Sequence, residues 1–366
     1  MNLAITSPSA SAYSETFIHM QMERLPCRLR IHGGPVASET LPGGPIQPLR
    51  SIRGLFDTAY WRGYKKTRGW EGPQAAELKR RLIENRIEVV LANYGQAGVA
   101  LSPVCQALSI PLVVHFHGND AHAKNVIEEQ RDNYRRLGRD CAGIVVVSQR
   151  MQSALTDLGM PGEKMTLVRY GVDPDRFEVK TEFPETPVFF GVGRFVDKKA
   201  PYLTLLAFKK VHEQIPSARL ILAGDGMLFE TTRNLARVLK LETAVEFPGV
   251  LTPDQVAAYM RSATAFVQHS ITPEYGSAAG DSEGTPVAML EAMMTGLPVI
   301  GTRHAGMGEV IQNGVTGYAV NERDVEGMTK AMLQIASSTQ QTRQMGRAAR
   351  EYALEHHTAK LYMINL

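Results

Sequence analysis

Two glutamates, Glu283 and Glu291, flank the stretch Gly284-Thr285-Pro286-Val287-Ala288-Met289-Leu290. Thr285 is a good helix N-cap and Pro286 a good first helical residue, because its missing N–H is not needed there and its φ is already helical. Glu283 then lies in the loop before a helix and Glu291 in the second turn. Side chains on a helix tilt toward its N-terminus, so Glu291 can lean back toward whatever Glu283 faces. Two acceptor-only carboxylates beside a positive helix end suit a ligand rich in hydroxyls that also carries phosphate. An exposed acidic helix start would look the same, and the pair alone does not decide between them.

About ninety residues upstream, Val188-Phe189-Phe190-Gly191-Val192-Gly193-Arg194 runs on to Lys198-Lys199-Ala200-Pro201. An apolar run that ends at glycines and is followed by a helical pattern puts Arg194 and Lys199 on a strand-to-helix turn. Such turns lie at the C-terminal edge of a parallel sheet, where open α/β folds bind ligands. Two cations there match a diphosphate, and charge grown on phosphate during a reaction would strengthen their hold. The alternative is a solvated basic loop, and since Lys198 and Lys199 are adjacent, at least one is expected to face water. A third candidate is His117, at the end of the apolar run Val113-Val114-His115-Phe116 and before Gly118. A neutral imidazole there could donate to a sugar hydroxyl or a developing oxyanion, or could simply pack at the strand end. His115 points the same way but deeper, and Asp120 is expected to cap the next helix. Ser14, Glu15 and Thr16, after the first apolar run, could bind an acceptor or cap the first helix.

The elements that must carry these residues alternate between strand-like and helix-like runs, the pattern of βαβ units and parallel sheets. Strands are expected at 3–5, 28–31, 88–92, 112–116, 143–147 and 165–168, then at 188–191, 219–223, 244–247, 265–267, 298–301 and 317–320. The segment from Phe177 to Pro187 is charged, carries prolines and lacks periodicity, so it marks a boundary. Residues 1–180 form one expected Rossmann-like domain and 181–341 a second. Residues 342–366 form a terminal helix that could return to the first domain.

Together these stretches resemble the retaining glycosyltransferases of GT-B fold, sequence-based family 4. The resemblance runs over most of the chain. It includes Gly191, Gly193, Arg194 and Lys199, then Gly224-Asp225-Gly226, Val245-Glu246-Phe247-Pro248-Gly249, the glutamate pair, Ala305-Gly306-Met307-Gly308-Glu309 and Asn313-Gly314-Val315-Thr316-Gly317. The order and spacing of these pieces carry it. It implies an α/β, GT-B architecture of two Rossmann-like domains facing a central cleft, with a nucleotide diphosphate sugar on the second. By resemblance Gly193, Arg194 and Lys199 hold the diphosphate, Glu291 the ribose, and Glu283 lies near the transferred sugar. The backbone from Ala305 to Glu309, with Gly306 and Glu309 as contacts, approaches the phosphates or the sugar, and His117 lines the active site. Where the family carries Gly-Gly, this chain has Ala305-Gly306. The implied chemistry is transfer with retention, the acceptor hydroxyl attacking from the face the phosphate leaves. Ser14-Glu15-Thr16-Phe17-Ile18 looks like the branch that builds exopolysaccharides such as colanic acid, which implies a glycan or lipid-linked acceptor. The rivals are another GT-B chemistry, a nucleotide-sugar epimerase or glycan phosphorylase, and a noncatalytic binding scaffold.

Composition narrows the class. A chain of 366 residues suffices for two cores, and 44% hydrophobic with 21% charged residues is that of a globular protein. No apolar run reaches about eighteen residues, and the start lacks a basic leader, so a cytoplasmic protein is expected. Cys27, Cys105 and Cys141 have no metal spacing and are expected as buried thiols. Asp173-Pro174-Asp175 has a metal-binding form but falls in a turn, so no metal and no cofactor is expected. A net charge of +3 without a recognition motif argues against nucleic acid. Between Arg50 and Arg86, ten cations face four anions. Ile52, Leu55, Phe56, Ala59, Tyr60 and Tyr64 recur there at helical spacing, so residues 50–68 could lie on an anionic membrane, at its inner face, or dock on the first sheet.

Overall fold

The computed structural model describes residues 1–7, 15–32, 37–40, 47–48, 73–276 and 278–366. Ser14 and the basic segment 50–68 lie outside them. The chain forms two compact units, one of residues 1–122 and 126–168, the other of 123–125 and 169–365.

The first unit is built on β1 (Leu3–Ser7), β2 (Cys27–His32), β3 (Ala37–Thr40), β4 (Gln47–Pro48), β5 (Val89–Asn93), β6 (Leu112–His115), β7 (Gly143–Val146) and β8 (Met165–Leu167). Their order is β4-β3-β2-β1-β5-β6-β7-β8. All neighbours from β2 to β8 are parallel, and β3 and β4 extend the edge antiparallel. The parallel strands are near-continuous apolar runs because helices cover both faces of such a sheet. Ile5, Leu29, Val90 and Val114 have no exposed surface.

The second unit contains β9 (Val188–Val192), β10 (Arg219–Ala223), β11 (Val245–Gly249), β12 (Ala265–Val267), β13 (Val299–Thr302) and β14 (Gly317–Val320). The order β11-β10-β9-β12-β13-β14 is parallel throughout. Strand order reverses between β9 and β12, and the crevice beyond their C-terminal ends is where a doubly wound sheet takes a ligand. Gly191 is required at that junction, because a Cβ on it would lie 2.7 Å from the Val267 carbonyl of β12. The core below packs Phe189, Leu205, Phe208, Leu220 and Met328, all fully buried.

The twelve expected strands all form, with ends shifted by one or two residues; β3 and β4 were not expected. The units divide at Val168/Arg169, earlier than the expected 180. Packing explains the difference. Val172 bridges to Thr358, and the N–H of Lys180 donates to the Thr295 carbonyl, so the charged linker is docked on second-unit elements. The terminal stretch beyond 342 clusters with the second unit up to Asn365, where helix Thr339–His356 packs on helix Val287–Thr295.

Candidate active site

Beyond the switch point of the second sheet lies an open cleft whose empty volume, solvent included, is about 320 Å³. The loop after β9 forms one side with Gly193, Arg194 and Lys199, and Gln268, just after β12, forms the other. Residues 197–199 make a single 3-10 turn before helix Pro201–Gln214, and Pro201 begins that helix as a proline should. The turn carries both lysines inward, so the expectation that one must face water fails. Lys198 is buried, with Nζ 3.1 Å from both carboxylate oxygens of Asp281. Lys199 Nζ lies 3.2 Å from Glu283 Oε1 and 3.4 Å from Gln268 Oε1. Two adjacent cations can be buried because two carboxylates, two residues apart in the facing loop, compensate them. Arg194 is exposed at the cleft, and no ion pair joins it to a described residue.

The electrostatics follow from this packing. Burial alone would raise the Glu283 pKa, but attraction from Lys199 and then Lys198 outweighs it and holds the carboxyl at about 2. Burial pulls the Lys199 ammonium below the usual lysine range, with Glu283 opposing and Lys198 and Arg194 adding to it. Glu291, partly buried in helix Val287–Thr295, goes the other way: burial lifts it to about 7, against a weaker pull from Arg176.

That helix starts one residue later than expected. Pro286, with φ −62° and ψ 115°, takes the cap position, and no side chain caps it. The Thr285 hydroxyl, expected as the cap, is buried with no hydrogen-bond partner among the described residues. It faces Gly306 instead, where a Cβ would come within 2.5 Å of that hydroxyl and 2.2 Å of the Gly284 carbonyl. The loops of Glu283 and Gly306 therefore touch main chain to main chain. Ala305, where glycine was the family pattern, has φ +44°, in the left-handed region that glycine favours. Glu309 lies on the short helix Ala305–Val310 and pairs with Arg169 at 3.3 Å. Asp173 accepts from the Asp175 N–H at 3.2 Å, capping a 3-10 turn. No group of three or more potential metal ligands occurs among the described residues.

Two family models match the chain: "Glycosyl transferases group 1" over residues 173–352 and "Glycosyltransferase Family 4" over 37–176. The putative colanic acid biosynthesis glycosyltransferase WcaL of Escherichia coli (strain K12) is 30% identical over 306 residues, covering 80% of this chain and 74% of that protein. The chain is a family 4 glycosyltransferase. The amylovoran biosynthesis glycosyltransferase AmsK of Erwinia amylovora is 28% identical over 68% of this chain and 61% of its own length. The crystal structure of Anabaena Alr3699/HepE in complex with UDP superposes with a TM-score of 0.75 at 17% identity, covering 99% of this chain and 97% of that one. At that identity the superposition speaks for the fold, which is GT-B with two Rossmann-like domains. Family membership also removes the scaffold, epimerase and phosphorylase readings.

In the first unit of this glycosyltransferase, His117 is nearly buried at the C-terminal edge of the sheet. Its Nε2 is 2.9 Å from Asn93 Oδ1. The Asn93 amide nitrogen donates to Thr6 O and Gln21 Oε1, both at 2.8 Å, so the oxygen must be the end that faces His117. The neutral ring thus spends its one N–H on Asn93, and Nδ1 is an acceptor nitrogen. Burial, with repulsion from His115, holds the His117 pKa well below the usual histidine value. His115 is deeper still, fully buried with Nδ1 3.1 Å from the Gln21 amide nitrogen. Asp120 does not merely cap: it gathers the N–H groups of Gly95, His117 and Gly118 at 2.9–3.0 Å and pins the loop that carries His117. Glu15 stands at the N-cap of helix Thr16–Arg24 without a capping bond and accepts from the Tyr94 hydroxyl at 3.0 Å. Thr16 is the first residue of that helix. Sequence reasoning missed Asp281, Gln268, Asn93 and His304; Asn93 and Gln268 are polar residues at the ends of apolar strands, whereas Asp281 and His304 lie in loops without such a signal.

Proposed function

We propose that this enzyme transfers a sugar from a nucleotide diphosphate sugar to a glycan or lipid-linked acceptor in polysaccharide synthesis, with retention at the anomeric carbon. The observation that carries the reading is the convergence of exposed Arg194 with the Lys199–Glu283 ion pair at the switch point of the second sheet. A cation with no ion pair to a described residue, beside a paired one, can take up a diphosphate, each charge-assisted bond contributing roughly 1.5–3 kcal/mol. Relatives named for colanic acid and amylovoran biosynthesis, and the Anabaena protein with UDP bound, support the same substrate class.

In this reading Gly193 leaves room for the phosphates beside Lys199, and Glu291 accepts from the ribose hydroxyls. Glu283 accepts from hydroxyls of the transferred sugar, while Gly306 lets its own loop approach closely and Glu309, held by Arg169, steadies that loop. The bond from the anomeric carbon to the β-phosphate oxygen breaks, and Arg194 and Lys199 neutralise the charge that collects there. The acceptor oxygen bonds to the anomeric carbon from the same face, and its proton passes to the departing phosphate. Glu283 binds and does not attack, because its carboxylate is committed to Lys199. His117 and the Glu15–Thr16 turn belong to the acceptor-side unit. A lipid-linked acceptor would bring the enzyme to the inner face of the membrane, with residues 50–68 as its contacts and Ser14 joining Glu15 and Thr16 on the acceptor.

The test is incubation with UDP-, GDP- and ADP-sugars and an acceptor panel, following nucleoside diphosphate release and the anomeric configuration of the product. One sugar nucleotide should raise the melting temperature and be consumed with configuration kept. Consumption of none, or an inverted product, would refute the reading.

A further inference from the structure

His304 has no exposed surface and sits between three loops of the second unit. Its Nδ1 is 2.7 Å from Glu322 Oε1, on the loop after β14, and its Nε2 is 3.1 Å from the main-chain nitrogen of Glu283. Ser282 Oγ lies 3.2 Å from the same Nε2. An amide N–H can only donate, so Nε2 must present its lone pair, and the ring's single proton must be on Nδ1 facing the carboxylate. The tautomer is thus set from both ends. Glu322 is fixed in turn: its Oε2 accepts from the Thr272 N–H at 2.7 Å and its Oε1 from the Thr272 hydroxyl at 3.3 Å. His304 also leads directly into Ala305, whose φ is +44°, and Gly306, which abuts Gly284. A rigid, doubly anchored ring therefore holds the one N–H that sets where the Glu283 backbone, and hence its carboxylate, stands relative to Lys199.

We propose that His304, oriented by Glu322, is a positioning residue that fixes the main chain at Glu283 and so aims its carboxylate at the donor sugar. The inference rests on the reading of Glu283 as the sugar-facing group. Because the ring grips the sugar end of the site and not Arg194, its loss acts on turnover more than on nucleoside diphosphate affinity. Misplacing a reacting group's partner by about 1 Å can cost on the order of 100-fold in rate.

The two conservative amides separate the two ends of the ring. Glutamine places its carbonyl near the position of Nε2 and can still accept from the Glu283 N–H, whereas asparagine reaches only toward Glu322. With UDP-glucose and GDP-mannose as probes, His304→Asn should lower kcat for sugar-nucleotide cleavage on the order of 10–100-fold. The Kd for UDP or GDP should stay within about threefold, and His304→Gln should recover most of the lost kcat. Should the asparagine variant fail to fold, Glu322→Gln carries the same comparison, since the neutral amide lets the ring proton shift to Nε2 and lowers kcat at unchanged UDP or GDP affinity. Wild-type kcat in both His304→Asn and Glu322→Gln, or equal loss of kcat and diphosphate affinity, overturns the inference. A wild-type enzyme that neither binds nor consumes either sugar nucleotide overturns the proposed activity, and this inference with it.

Discussion

Replacing Lys199 by alanine should damage stability and turnover separately, and the structure sets the size of each. Glu283 is only 10% exposed at its side chain and Lys199 16%, with 3.2 Å between the charges. Removing the lysine leaves a buried carboxylate without its nearest counterion, a loss of about 3–5 kcal/mol for such pairs. Lys198 still attracts Glu283, so the low end, about 3 kcal/mol, is expected. For a unit of this size that corresponds to a fall of roughly 6–12 °C in Tm. Turnover should drop on the order of 10²–10³-fold, because a preorganised charge at the leaving group is gone. The pH dependence checks the cause. The Glu283 pKa lies at about 2 against an ordinary 4.5, so the pair's stabilisation is present above about 4.5 and is lost as pH falls toward 2. Lys199→Ala should lose that acid-side slope. Adding Glu283→Gln should restore Tm, since no carboxylate is then buried without its counterion, but not turnover. The assays are thermal unfolding at several pH values and nucleoside diphosphate release from the responding sugar nucleotide. Wild-type turnover in Lys199→Ala, or an unchanged Tm and acid slope, would refute the reasoning.

Glu291, lifted to about 7 by burial, gives a second pH signature. A raised carboxyl favours the folded state below its ordinary pKa, a contribution lost as pH rises through 7. If the ionised form takes the ribose hydroxyls, affinity for the responding sugar nucleotide should rise about tenfold from pH 6 to pH 8, and Glu291→Gln should flatten that profile in calorimetric titrations. Ala305→Gly should relieve the left-handed backbone at φ +44° and stabilise the protein by roughly 0.5–1 kcal/mol, since the strain removed exceeds the added chain entropy. A lower melting temperature for that variant would show that the loop is not strained there.

Much of the fold was legible because each parallel strand is a short apolar run, such as Val188–Val192, closed by glycine, proline or a polar residue. Strands β3 and β4 were not, since Ala37-Ser38-Glu39-Thr40 and Gln47-Pro48 carry no apolar pattern and are placed by pairing on β2. Arg194, Lys199, Glu283 and Gly306 were legible as motif residues, and the structure brings Lys199 to Glu283 and Gly306 to the Glu283 loop. The direction of Lys198 was not, because it depends on Asp281, over eighty residues away, being there to neutralise it. His304 and Glu322 come from the loops after β13 and β14 and meet the Glu283 loop only once the sheet has formed. His117 was named at its strand end, but the direction of its ring proton was not legible, because Asn93 on another strand takes it. Local spacing names candidates, and strand order decides which of them share a site.

The most direct measurement of the central claim compares UDP with uridine, and GDP with guanosine, on wild type and on Arg194→Ala. If Arg194 and Lys199 bind the diphosphate, the responding nucleotide should exceed its nucleoside by at least about 100-fold in affinity, and Arg194→Ala should remove roughly tenfold or more of that difference. Equal affinities for nucleotide and nucleoside, or an unchanged difference in Arg194→Ala, would contradict the assignment of this cleft.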